Sequence, residues 1–353
     1  MYDLNKELNK FYEDCVRLKD ERKDLASYRD TNLERLKAGL KELGYPSGFK
    51  SKDQGSCAMY TINKHPEKKY DIDVAIIFEK DDLPSNPADA RKRIESAMIK
   101  GGGNFSTPPE ALTNAIRVSY AEGYHVDLAL YRKNTDVFDN SIVEHAGSEW
   151  TNRDPMNITN WFISSVQDKS PSKASGATVD DKQLRRVVRW LKMFAKSRSS
   201  WNTPGGLIIS ALAVERYRCD YYRDDVALYE TMKSIKNRLQ FDKEVPNPVD
   251  NTQYLTYREK DKTRVKNLEE HLTFVLDKLD ILFDAACTRA QALQAWDWVF
   301  QHSYWDDELG KSLSDSLLSK SLTVNPNGRL IDSVSRKDDQ RSIPIPTTRF
   351  YGG

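Results

Sequence analysis

Two aspartates one residue apart, Asp71 and Asp73 in YDIDVAIIFE, and a third, Asp127 in HVDLALY, have the types and spacing to do chemistry. Side chains alternate along a strand, so Asp71 and Asp73 project from one face. In HVDLALY the buried alternation is Val126, Leu128 and Leu130, which places Asp127 on the other face with Ala129 and Tyr131. If the two strands are neighbours, three carboxylates converge. Anions that close repel and raise one another's pKa, a penalty that divalent cations remove. Oxygen-only ligands select Mg²⁺ or Mn²⁺ over zinc. Two such ions about 3.5–4 Å apart can activate an attacking hydroxyl and stabilise a leaving pyrophosphate. An Asp-X-Asp alone more often caps a strand at the surface. The buried β-branched run after it, and a third Asp in a matching strand, favour the site.

Gln54-Gly55-Ser56 lies some fifteen residues before the paired aspartates. Glycine lets backbone N–H groups approach a phosphate closely, and serine adds a hydroxyl. A lone Gly-Ser is usually a turn. Followed by Asp-X-Asp in one strand and a third Asp in a later one, it reads as a triphosphate loop. A second basic feature lies at 182–196, where Leu184, Val187, Val188, Leu191 and Phe194 form an apolar stripe. Arg185, Arg189, Lys192 and Lys196 line up at i, i+4, i+7 and i+11 on another face. Facing a cleft, that stripe would attract triphosphate; facing water, it is a solvated helix surface. The five histidines show no metal-ligand spacing, and the pair Trp296 and Trp298 reads as helix packing.

The elements that must position these residues are legible from periodicity. Leu4, Leu8, Phe11, Leu18, Leu25, Leu36 and Leu40 recur at helical spacing over residues 4–43, which predicts one long amphipathic helix or two in tandem along the body, with a coiled-coil dimer as the competing reading. Gly44-Tyr45-Pro46 ends it. Asn86-Pro87 opens a helix with Asn as cap and Pro at the first helical position, and Gly101-Gly102-Gly103 closes it. AIRVSY and YHVDLALY are strands joined by a turn at Glu122-Gly123. This order predicts a small mixed sheet with helices on one face. From Asn157 the pattern is helical to about residue 320, interrupted by the polar stretch SPSKASGATVDD, read as a flexible linker. Residues 64–69 read as a loop near the site.

Composition bounds the function. Hydrophobic residues make up 39% and charged residues 30% of the chain, enough to bury a real core. The net charge of +1 supplies no global field for a polynucleotide, so no DNA requirement is expected. Cys15, Cys57, Cys219 and Cys287 form no CxxC pair, which argues against a zinc site and suggests a reducing, cytoplasmic setting. No apolar run approaches a membrane span, and the first ten residues lack the core of a signal peptide.

The stretches QGSCAMYT, YDIDVAIIF and IRVSYAEGYHVDLALY resemble the nucleotidyltransferase superfamily that includes DNA polymerase β, and more closely the bacterial cGAS/DncV-like nucleotidyltransferases, the CD-NTases. LRRVVRWLKMFAKS, TPGGLIISALA and VPNPVDNTQYL continue the resemblance, which spans about residues 50–260. It implies an α+β, bilobed protein: a polymerase-β-like lobe with a mixed sheet (1–160), a helical lobe like that of oligoadenylate synthetases (161–323), and a flexible tail (324–353). It implies ATP and GTP as substrates, joined into a cyclic oligonucleotide messenger such as cyclic GMP-AMP in anti-phage (CBASS) defence. By position, Gln54, Gly55 and Ser56 would hold the donor triphosphate and Asp71, Asp73 and Asp127 two Mg²⁺ or Mn²⁺ ions, with Asp127 helping to deprotonate the attacking ribose hydroxyl. Arg117 would meet a base or phosphate, and Lys192 the triphosphate tail. Gly206 and Asp250 carry over more weakly, since relatives often have Ser at the position of Gly206. Relatives also carry a base-stacking aromatic after the Gly-Ser, here Met59 or Tyr60. A linear transferase and a catalytically dead binding module are the alternatives; the three carboxylates favour an active enzyme. The tail ends Arg349-Phe350-Tyr351-Gly352-Gly353, like the tails of ubiquitin-like proteins, so Gly353 is expected to be conjugated by an E1/E2-like partner.

Overall fold

The structure is a computed structural model that describes residues 1–353 apart from 20, 66–69, 104, 106, 136–140, 172–181, 325–329 and 333–353. The tail expected to end in a conjugated Gly353, nearly all of the linker and most of the 64–69 loop therefore lie outside the described residues.

The chain starts with helix α1 (Asn5–Phe11), a π-helical turn (Tyr12–Val16) and, after a break, helix α2 (Glu21–Glu42). The tandem reading of the N-terminal stripe holds, and the two parts serve different cores. Leu4, Leu8, Phe11, Tyr12 and Val16 pack among the helices of the second lobe. Leu18, Leu25, Leu36 and Leu40 pack beneath the sheet of the first. The stripe thus ties the lobes together, and residues 4–16 sit with the helical lobe although they precede the first one in sequence.

The first lobe comprises β1 (Lys50–Asp53), α3 (Gly55–Ala58), β2 (Asp71–Glu79), α4 (Pro87–Lys100), β3 (Glu110–Ala111), β4 (Ile116–Ser119), β5 (His125–Thr135), β6 (Ser141–Ala146) and β7 (Trp150–Asn152). Its sheet runs β1-β2-β5-β4-β3, with β6 paired to β5 and to β7. Among the described residues of this sheet, β2 and β5 pair in parallel and the other pairs are antiparallel. Ile72, Val74, Ile76 and Phe78 of β2 and Val126, Leu128 and Leu130 of β5 are buried against Leu36 and Leu40 of α2 and Ile94, Ala97 and Met98 of α4. Asn86 caps α4 as expected, its side chain accepting from the Ala88 and Asp89 amides.

The second lobe is built from α5 (Asn157–Lys169), α6 (Gln183–Ala195), α7 (Gly206–Arg216), α8 (Asp224–Phe241), α9 (Glu259–Leu279), α10 (Arg289–Phe300) and α11 (Ser303–Ser321). Its core centres on Trp190, Leu212, Leu228, Leu272 and Trp296. One short antiparallel pair, β8 (Pro246–Asn247) with β9 (Asp250–Tyr254), interrupts the helices, and a second, β10 (Leu322–Val324) with β11 (Leu330–Asp332), follows α11 at the start of the region read as a tail.

Candidate active site

The parallel register between β2 and β5 sets Asp73 opposite Asp127 and Asp71 opposite His125. The apolar residues between them are buried on the far face, so Asp71, Asp73 and Asp127 share the face away from α2 and α4, as the alternation predicts. Asp73 has its pKa pushed up to about 6, first by burial and then by the charges of Asp127 and Asp71. A cation beside these carboxylates would relieve that repulsion. Asp71 is more exposed, and its carboxylate lies 3.2 Å from Nδ1 of His125.

Asp127 is held differently. Arg117 of β4 stands directly opposite it in the antiparallel register, and donates through Nε and Nη2 to its two carboxylate oxygens at 2.8 and 2.7 Å. Among the described residues no three Asp, Glu, His or Cys side chains are placed to hold one ion together. The three carboxylates nonetheless fit Mg²⁺ or Mn²⁺ in chemistry: all donors are oxygens, and Asp73 carries a charge that its neighbours oppose.

The loop in front of the carboxylates is a tight turn. The Gln54 amide donates to the Asp73 carbonyl, which fastens the turn to β2. Gly55 adopts φ +59°, and a β-carbon there would fall 2.1 Å from a carboxylate oxygen of Asp73. Ser56 follows in the first turn of α3, and its carbonyl accepts from the Thr61 amide. The Gln54 side chain is engaged, donating to the Tyr131 hydroxyl and the Pro155 carbonyl at 3.1 and 3.0 Å. Its place in this structure is to position the turn.

The basic stripe of α6 meets the segment after that turn. Arg185 Nε donates to the Met59 carbonyl, Arg189 Nε to the Tyr60 carbonyl and Lys192 Nζ to the Thr61 carbonyl, at 3.1, 2.9 and 2.7 Å. Successive turns of the helix thus take successive carbonyls of the other lobe. Arg189 also reaches the Tyr12 hydroxyl at 2.8 Å. Burial, with Lys196 and Arg189 close by, lowers Lys192 to about 7, against the pull of Asp73. The stripe is therefore an interlobe clamp along Arg185, Arg189 and Lys192, and only Lys196 is exposed to solvent. Gly206, at the start of α7, lies beside the Lys192 side chain: a β-carbon there would be 3.0 Å from its Cε.

Of the two candidates for a base-stacking side chain, Met59 is buried and Tyr60, half-buried, carries the ring. That ring is covered by the Arg22 guanidinium 3.5 Å from its centre, with Arg185 at 5.7 Å. Asp250 sits in β9 of the helical lobe, half-buried, its carboxylate accepting from Thr252 and Gln253; those bonds lower its pKa. His125 was not singled out by sequence reasoning, although it lies two residues before Asp127 and so on the same strand face. The carbonyl partners of Arg185 and Arg189 had no sequence signal, because they lie in a distant segment.

Residues 49–131 match the family model described as "Cyclic GMP-AMP synthase DncV-like, nucleotidyltransferase domain". Among solved structures, the chain is similar to the Vibrio cholerae DncV cyclic AMP-GMP synthase in complex with the linear intermediate 5' pppA(3',5')pG (TM-score 0.65, 16% identity, 88% of this chain and 99% of that one). It is likewise similar to the Bradyrhizobium diazoefficiens CD-NTase CdnG in complex with GTP (TM-score 0.64, 15% identity, 88% and 98%). A third likeness is to E. coli MS115-1 CdnC with ATP (TM-score 0.61, 16% identity, 85% and 98%). Residues 49–131 thus match a DncV-like nucleotidyltransferase domain model, and the chain as a whole shares the two-lobed fold of the solved DncV, CdnG and CdnC structures.

Proposed function

We propose that this protein joins nucleoside triphosphates, ATP and GTP first among them, into a cyclic oligonucleotide, with a cyclic dinucleotide such as cyclic GMP-AMP as the product. The observation that carries the reading is Asp73 in register with Asp127, on one face with Asp71, directly behind the Gln54-Gly55-Ser56 turn. The resemblance to DncV, CdnG and CdnC, solved with nucleotides, supports it.

In this reading Asp71, Asp73 and Asp127 hold two Mg²⁺ or Mn²⁺ ions, which when bound supply charge stabilisation for the α-phosphate and the departing pyrophosphate. The Gly55-Ser56 turn seats the donor triphosphate. Lys192 approaches the site from the helical lobe and binds the triphosphate tail, exchanging the Thr61 carbonyl for a phosphate oxygen. Asp127, once Arg117 has released it, accepts the proton of the attacking ribose hydroxyl. Gly206 gives the Lys192 side chain room to make that exchange. Asp250 meets the nucleotide from the helical lobe, its carboxylate positioned by Thr252 and Gln253.

The biological setting that goes with this chemistry is anti-phage signalling in the bacterial cytoplasm; none of the described helices is long and apolar enough to cross a membrane. Conjugation of Gly353 by an E1/E2-like enzyme rests on the sequence of the tail alone. Deleting Gly352 and Gly353 should remove higher-mass conjugates in cells while purified enzyme keeps its basal synthesis, and conjugates that persist would refute it. The activity itself is tested by incubating the protein with all four labelled nucleoside triphosphates and Mg²⁺ or Mn²⁺. A phosphatase-resistant product supports the cyclic assignment; a phosphatase-sensitive oligomer would mark a linear transferase, and no product a binding module.

A further inference from the structure

The Arg117–Asp127 pair has a feature that a simple cross-strand ion pair does not require. Its carboxylate is one of the three that the proposed reaction uses, and it is taken up on both oxygens. The Asp127 side chain is only 13% exposed, while the Arg117 side chain above it is 36% exposed. The guanidinium is therefore the partner that the cleft can reach, and the carboxylate lies beneath it. The register also sets Arg117 opposite Asp127 and Asp127 opposite Asp73, with Asp71 two residues along the same strand face. One cation is thus placed amid three anions, on the strand face where a divalent ion would lie.

We propose that Arg117 is the counter-cation of Asp127 in the nucleotide-free protein, and that it yields this carboxylate to a divalent metal only when a nucleotide phosphate takes the guanidinium. The inference rests on the reading of the site as a metal-dependent nucleotidyltransferase. Guanidinium binds carboxylate and phosphate with the same two-pronged geometry, so phosphate is a matched competitor for Asp127. A metal ion arriving alone must break two charge-assisted bonds and face an uncompensated cation. With a triphosphate present, the guanidinium has a new anion and Asp127 has two free oxygens. Metal and nucleotide then favour each other's binding reciprocally, as linkage requires. Arg117 in this scheme binds the nucleotide phosphate and thereby governs when the third carboxylate becomes available.

The test is Mn²⁺ binding to the full-length protein without nucleotide, read from the electron paramagnetic resonance signal of free Mn²⁺. Arg117→Gln should bind Mn²⁺ about tenfold to a hundredfold more tightly than the unmodified protein, the span expected for losing charge-assisted bonds. Arg117→Lys, which keeps the charge but not the paired donors, should fall between them and also guards against a folding defect in the Gln variant. Equal or weaker Mn²⁺ binding by both variants would overturn the proposal while leaving the metal site intact. Asp71→Asn with Asp73→Asn, placed in the Arg117→Gln background, should remove the tight Mn²⁺ binding. If it does not, the ion is bound elsewhere, and the assignment of the site itself fails with the proposal.

Discussion

Gly55 and Asp73 occupy the same space to within a side chain: a β-carbon on the glycine would lie 2.1 Å from a carboxylate oxygen of the aspartate. The contact explains why the turn ahead of β2 needs glycine twice over, since its φ of +59° is also one that other residues adopt at a cost. Gly55→Ala should lower stability by about 2–4 kcal/mol, combining left-handed strain with overpacking. Product synthesis should fall by more than the loss of folded protein explains, because Asp73 must move. Gly44→Ala is the matched control, with φ +74° and open space around its β-carbon. It should cost only about 1–2 kcal/mol and leave synthesis intact. Denaturant melts and rates on the two variants compare them directly, and equal effects would remove the argument.

Arg189 links the lobes through the Tyr60 carbonyl and the Tyr12 hydroxyl, and it is buried. Arg189→Ala removes two buried hydrogen bonds between the lobes, so it should destabilise the protein by about 2–4 kcal/mol. Lys196→Ala, on the same helix but exposed, should stay within about 0.5 kcal/mol. Chemical denaturation of the two variants checks the contrast. Similar small losses from both would mean that the stripe is a solvated face.

The sheet that carries the site was largely legible, and the reasons are local. Alternation in HVDLALY and the buried run after Asp73 identified β5 and β2, and the Glu122-Gly123 turn joined β4 to β5. Counting outward from that turn also sets Arg117 across from Asp127, a register that the sequence contains and the motif reading passed over. Other parts had no local signal. β1 reads Lys-Ser-Lys-Asp, with charge where an apolar alternation would be expected, and is held by pairing with β2 and by the bond from Arg29 of α2 to Asp53. The α6 stripe was visible as a pattern, but its partners are backbone carbonyls more than a hundred residues away. A helical wheel shows that cations are aligned and cannot show what they face.

Lys192 gives a pH signature. Its folded pKa of about 7 lies below its ordinary value of 10.5. The contribution to stability is therefore complete above about 10.5 and is lost as pH falls toward 7, because the unfolded chain takes up the proton first. Lys192→Met lacks this term. The stability of the unmodified protein relative to Lys192→Met should fall by about 1–3 kcal/mol between pH 10 and 7, a figure reduced for a half-buried side chain, and then stay level below pH 7. Melts across that range decide it, and a constant difference would show that the amine is not perturbed. Nucleotide affinity should weaken about tenfold to a hundredfold in the same variant if the amine holds phosphate.

Asp73→Asn tests the central claim most directly, because structure and function predict opposite signs. The substitution keeps the shape of the side chain and removes a buried charge that Asp127 and Asp71 oppose. In metal-free buffer at neutral pH the melting temperature should therefore hold or rise. Synthesis from labelled ATP and GTP with Mg²⁺ or Mn²⁺ should fall by several orders of magnitude, because a carboxylate that holds the catalytic cations is gone. Stability held and product lost is the result this account predicts. A variant that still makes the cyclic product at an undiminished rate would contradict it.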